Sequence, residues 1–133
     1  MKVGCCDPEG NYYSCYSWFG HNGGLALISE KKNLSKKIIS ELVNDVMYHK
    51  VTEKLYAVST QKNVIYEIDP SNDWKVKRRY LKPQDPPDKQ VDYNSTSCIA
   101  YCTVDGYFYG RTATKQLFRF KLEDMVENIK SLD

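Results

Sequence analysis

The feature that most constrains this chain is a pattern of segments that occurs three times along it. Residues 6–18, 49–61 and 102–114 each hold a polar turn, built on Pro8-Glu9-Gly10-Asn11, Thr52-Glu53-Lys54 and Val104-Asp105-Gly106. An apolar run precedes each turn (residues 1–6, 46–51 and 98–104), and an aromatic, β-rich run follows it (12–15, 55–58 and 107–110). Beyond a loop comes a third run with period-two alternation, at residues 25–28, 64–68 and 116–122. Such alternation marks strands with one face buried. A second turn and a charged fourth run, at residues 35–42, 74–81 and 127–132, complete each copy.

The interval from Gly10 to Lys54 is 44 residues, and from Lys54 to Gly106 it is 52. An insertion over residues 83–97, rich in Pro, Asp, Asn and Ser, accounts for the longer interval. Without roughly eight of its residues the period is ~44, the length of a four-stranded propeller blade. The sequence therefore resembles part of a β-propeller, and most of all the six-bladed group of NHL-repeat and gluconolactonase or strictosidine-synthase-like proteins. The stretches that carry the resemblance are residues 54–69 and 106–122. No Gly-His or Trp-Asp pair stands at the blade ends as in WD-type propellers, and the regular Trp placement of small propeller lectins is missing. Nor do the metal-ligand carboxylates or catalytic residues of the gluconolactonase-like enzymes find a match. The resemblance implies an all-β, single-domain chain over residues 1–133, a half-propeller of three four-stranded antiparallel blades at about 1–42, 43–82 and 98–133. Residues 35–47 and 122–132 also fit a helical period, with Ile38, Ile39, Leu42 and Val43 on one face, which leaves an α+β alternative. The matching slot at 74–81 alternates with period two and favours strands.

Closed propellers have ~4–8 blades, so two chains of three complete a ring of six. The expectation is a homodimer whose two-fold axis is the propeller axis, which makes both seams identical. Val3, Tyr13, Cys15, Phe108, Phe118 and Phe120 are the expected outward-facing apolar residues. The rival is a half that pairs with a different chain or belongs to a longer propeller.

Composition narrows the function classes. Nineteen Lys and Arg against 17 Asp and Glu give a net charge of +2, too even to argue for nucleic acid or a membrane surface. No apolar run approaches the ~18 residues of a spanning helix, and no signal-like stretch follows Met1, which points to the cytoplasm. Five cysteines at irregular spacing do not make a disulfide framework. Cys98 and Cys102 share a strand face but lack the second spaced pair of a zinc site. Cys5-Cys6 suits palmitoylation, without a myristoylation glycine beside it. His21 and His49 stand alone, and no cofactor or metal is expected. Asn33-Leu34-Ser35 and Asn94-Ser95-Thr96 are glycosylation sequons only if the chain enters the secretory path.

Propeller ligands meet loops, because strands fix the scaffold. The loops after each second strand (residues 18–24, 60–63 and 112–115) share a face with those joining copies (40–45 and 82–97). Trp18, Phe19, His21 and Asn22 in the first loop combine aromatics, an imidazole and an amide beside three glycines. With Arg111, Asp92 and Tyr93 they form the expected contact set. The competing reading is a glycine-rich hairpin whose aromatics cap the core, and a solvated surface loop for the insertion. Lys75, Lys77, Arg78, Arg79 and Lys82 on an outer strand fit protection of a sheet edge, since only Trp74 and Tyr80 interleave as a nucleic-acid patch would need. No nucleophile–base pair is evident. The expected function is a non-catalytic module holding a protein or peptide partner. Its alternatives are a small-ligand or carbohydrate-binding propeller, with Trp18 and Tyr16 stacking on the ligand, and a metal-dependent lactonase-like hydrolase.

Overall fold

A computed structural model describes residues 4–18, 21–82 and 91–127, with backbone alone at 17, 18, 21 and 22. Among the described residues it is all-β apart from three single 3-10 turns, and the strands form three antiparallel sheets. The first sheet is β1 (Gly4–Cys6), β2 (Tyr12–Trp18), β3 (His21–Ser29) and β4 (Leu34–Ile39), side by side in chain order. The second is β5 (Asp45–His49), β6 (Lys54–Val58), β7 (Ile65–Asp69) and β8 (Lys75–Leu81). The third is β9 (Thr96–Cys102), β10 (Tyr107–Thr112) and β11 (Leu117–Phe120). Turns sit where glycine or acidic residues placed them in the sequence. Gly10 and Gly106 hold φ of +86° and +76° after β1 and β9, a backbone region that side chains disfavour.

The sheets stack in chain order, with β1 lying against β5 and β5 against β9, an arrangement compatible with a propeller. The second sheet is buried on both faces. Along β6, Leu55 and Ala57 join one apolar cluster with Tyr13, Leu25 and Leu27 of the first sheet. Tyr56 and Val58 join another with Phe108, Phe118 and Phe120 of the third. Strand β7 divides likewise, Tyr66 and Ile68 toward the first sheet and Ile65 toward the third. This explains a continuous apolar run in the middle copy where the outer copies alternate. The second seam is a column of rings: Phe108 stacks on Phe120 at 5.2 Å and on His49 at 5.1 Å, while Tyr56 meets Phe108 edge-on at 5.3 Å.

Three expectations change. Among the described residues the third sheet has three strands, not four. The chain turns through Leu122–Asp124 and lays β12 (Met125–Glu127) on the outer edge of β8, so the second sheet has five. Met125 then stands opposite Leu81, both buried, and Glu127 opposite Arg79. The basic strand β8 offered an open edge, and a strand that pairs there satisfies its backbone groups. Residues 128–132 of the expected fourth run lie outside the described residues.

Second, Tyr13, Phe108, Phe118 and Phe120 face inward, each at most 8% exposed, and Cys15 packs against the first cluster. Cross-strand register puts their neighbours outward instead, and a one-residue change of parity moves a whole face. Val3 lies outside the described residues. Third, the α+β alternative gives way over residues 34–39, which form strand β4.

Gly110 on β10 leaves room for the ring of its cross-strand neighbour Phe118. A Cβ there would lie 2.3 Å from the Phe118 ring, which covers the glycine across the strand pair. Gly110→Ala is expected to cost about 1–3 kcal/mol, the usual range for overpacking. Thermal unfolding checks this; an unchanged melting temperature would contradict the seating of Phe118.

Candidate functional site

The loops after β6 and β10 and those entering β5 and β9 meet along one edge of the stack, and they are tied together by hydrogen bonds. Thr60 N–H donates to Asn44 Oδ1 at 2.8 Å, and Asn44 N–H to the Val58 carbonyl at 2.8 Å. Asn63 N–H donates to Asn94 Oδ1 at 3.0 Å, joining the second sheet to the segment before the third. Asp92 N–H reaches Gln116 Oε1 at 3.0 Å, and Ala113 N–H the Ser95 carbonyl at 2.8 Å. Asp92 fixes this segment locally by accepting from Asn94 N–H at the start of the 3-10 turn Tyr93–Ser95. The edge leaves Gln61, Lys62, Asp92, Asn94, Thr114 and Lys115 exposed, with their backbone held from both sides.

The predicted contact residues distribute unevenly over this edge. Asp92 lies on it, exposed. Arg111 is exposed on the outward face of β10, opposite Cys98 and Leu117. Tyr93 is a correction: it is 7% exposed and packs edge-on against Phe118 at 4.9 Å, so its ring belongs to the core. The polar composition of the insertion hid one apolar anchor. Phe19 lies outside the described residues, as do the side chains of Trp18, His21 and Asn22. The backbone of Trp18 pairs with His21 where β2 meets β3.

A charged cluster that the sequence did not announce sits beside the edge. Glu41, in the loop leaving β4, accepts from Tyr66 Oη at 2.6 Å and Arg78 Nη2 at 3.0 Å, and pairs with Lys62. Burial pushes its carboxyl up, but the bonds from Lys62, Tyr66 and Arg78 outweigh this and hold it down at about 2. These partners stand far along the chain, so no local motif signals them. Glu67 is buried in the second seam, bonded by Tyr56 Oη at 2.9 Å and Arg79 Nη2 at 3.1 Å. Burial raises its pKa, and those partners with Lys54 bring it below the usual range. Asp7 accepts from Tyr13 Oη and from Asn11 Nδ2, both at 2.8 Å. Each carboxylate is occupied by donors from the fold itself, Glu41 from the neighbouring sheet and Glu67 and Asp7 from their own, which suits structural clamps better than acid–base chemistry. A groove at the opposite edge holds Lys54, Lys75 and Lys77 together with Glu67 and Asp69, so its charges neutralise one another.

His49 is 1% exposed between Phe108 and Tyr101, and its Nδ1 accepts from Thr52 N–H at 3.1 Å. Burial holds its pKa down, so the ring is neutral. Among the described residues no group of three or more His, Cys, Asp or Glu is placed to hold a metal ion. No described helix is long and apolar enough to cross a membrane. No known protein family, curated protein or solved structure matches the chain.

Two pH effects follow. The unfolded chain takes up a proton at His49 near pH ~6.5 while the folded one resists it, so stability falls as pH drops below that value. Melting temperatures between about pH 7 and about pH 5 should show this slope, and His49→Asn should flatten it; an equal slope in both would contradict a buried neutral ring. Glu41 works in a lower window. Its folded pKa lies below the unfolded ~4.3, so its contribution is present above that value and disappears toward the folded pKa. Glu41→Gln is expected to cost about 1 kcal/mol near neutrality, discounted for partial exposure. Urea unfolding should show that gap narrow between about pH 7 and about pH 3; a constant gap would contradict the charged clamp.

Proposed function

We propose that the three sheets are successive blades of a propeller and that the chain is a non-catalytic interaction module. Its recognition surface is the loop edge, and its partner is a protein or peptide segment. The observation that carries this reading is the hydrogen-bonded continuity of that edge. Loops from consecutive sheets are fixed to one another through Asn44, Asn63, Asn94 and Gln116, leaving exposed polar side chains on a rigid backbone. Such a surface loses little entropy on binding and offers both charges and amides to a peptide backbone. The titratable groups nearby are engaged in clamps, which argues for recognition over turnover.

Selection from a random-peptide display library tests this. Enriched peptides are expected to bind the purified chain and to lose at least roughly tenfold in affinity to Asp92→Ala with Asn94→Ala, a typical effect for central polar contacts. Enrichment of no peptide, or binding that both substitutions leave unchanged, would contradict the reading. Binding to an array of glycans instead would favour the carbohydrate alternative.

A further inference from the structure

Each sheet has a face toward its successor and a face toward its predecessor, and the register of strand pairs makes the three comparable. On the faces toward a successor, the second and third strands of each sheet give two cross-strand pairs. They are Tyr13 opposite Leu27 with Cys15 opposite Leu25, and Tyr56 opposite Glu67 with Val58 opposite Ile65. The third sheet gives Tyr109 opposite Arg119 and Arg111 opposite Leu117. A tyrosine and an aliphatic residue recur at the same two places. In the first two sheets these places are buried in a seam; in the third, Tyr109 is 39% and Leu117 78% exposed.

The faces toward a predecessor show the same relation. Leu55 opposite Ile68 with Ala57 opposite Tyr66, and Phe108 opposite Phe120 with Gly110 opposite Phe118, are buried in the two seams. The first sheet carries Tyr12 opposite Ile28 and Ser14 opposite Ala26, again large beside small, and here Ile28 is 46% exposed. Of the five large hydrophobic residues exposed among the described ones, Ile28, Tyr109 and Leu117 lie on these two open faces. The faces also differ in a complementary way. Arg111 and Arg119 stud the third sheet, Arg119 already lying 4.3 Å from the Tyr107 ring, and Tyr12 offers a ring on the first, where the Tyr16 ring is already met by Lys37 Nζ at 6.0 Å.

We propose that a second copy of this chain occupies both open faces, the third sheet of each copy packing on the first sheet of the other. This rests on the blade reading above and names the partner that continues its seams. The stacking series already buries two such interfaces within one chain, and the open faces are the next terms of the same series. Head-to-tail contacts that close by a two-fold make both new seams identical and complete a ring of six blades, within the ~4–8 that propellers use.

Sedimentation velocity at micromolar concentration is the test, with Leu117→Asp and Ile28→Arg as variants. Both side chains are exposed in the single chain, so both variants are expected to fold. The wild type is expected to sediment at twice the chain mass. Each variant places a charge in both seams of its own dimer and should raise the dissociation constant at least roughly 100-fold. Mixing the two variants should restore dimer, because a mixed pair has one wild-type seam and one Asp–Arg seam. A folded wild-type monomer, or a dimer insensitive to both substitutions, or variants that fail to complement, would overturn the proposal. The peptide selection reads the loop edge and not these faces, so the two readings fail separately.

Discussion

The structure depends on a sheet that has no outside. Strands β6 and β7 bury side chains on both faces, so the second sheet is stable only while the first and third cover it. A single sheet with two apolar faces cannot persist in water, and three strands or more with one covered face is the usual minimum. Here the requirement is doubled, and the outer sheets are in turn anchored by the faces they press on the middle one. Leu55 and Tyr56 are neighbours in the chain, yet they belong to different cores.

Tyrosine makes this arrangement tolerable for polar groups. Each seam is built from rings whose bodies are apolar and whose hydroxyls reach a carboxylate: Tyr13 to the buried Asp7, Tyr56 to the buried Glu67, Tyr66 to the partly exposed Glu41. Trp74 extends the first of these by donating Nε1–H to the Tyr13 oxygen at 2.9 Å. A buried hydroxyl without a partner costs more than its bond returns; Tyr13–Asp7 and Tyr56–Glu67 meet this within one sheet, while Tyr66–Glu41 and Trp74–Tyr13 cross from the second sheet to the first. Eleven tyrosines in so short a chain thus serve packing and registration together.

Strand positions were legible in the sequence because alternation and turn residues agree there. Every described strand overlaps an expected run, β12 only at Glu127, and of the loops expected on one face those after β6 and β10 and those entering β5 and β9 meet there. Parity was not legible. In Tyr12-Tyr13 and Tyr107-Phe108-Tyr109 both faces of the strand carry rings, and only cross-strand register decides that Tyr13 and Phe108 turn inward. Strand β12 has three residues and no pattern of its own; the open edge of β8 chose its partner. At the loop edge, Asp92 was visible as a polar residue in a polar insertion, and Tyr93 was misread for the same reason. The clamp on Glu41 gathers residues from a loop, two strands and a turn, which no spacing in one sequence reveals.

Nuclear Overhauser contacts from adjacent residues of β6 test the account most directly. The Leu55 methyls should contact Tyr13, Leu25 or Leu27 and no ring of the third sheet, while the Tyr56 ring should contact Phe108 and nothing in the first. Contacts from both side chains to one common set of partners would mean a two-layer packing, and the doubly buried sheet would have to be abandoned.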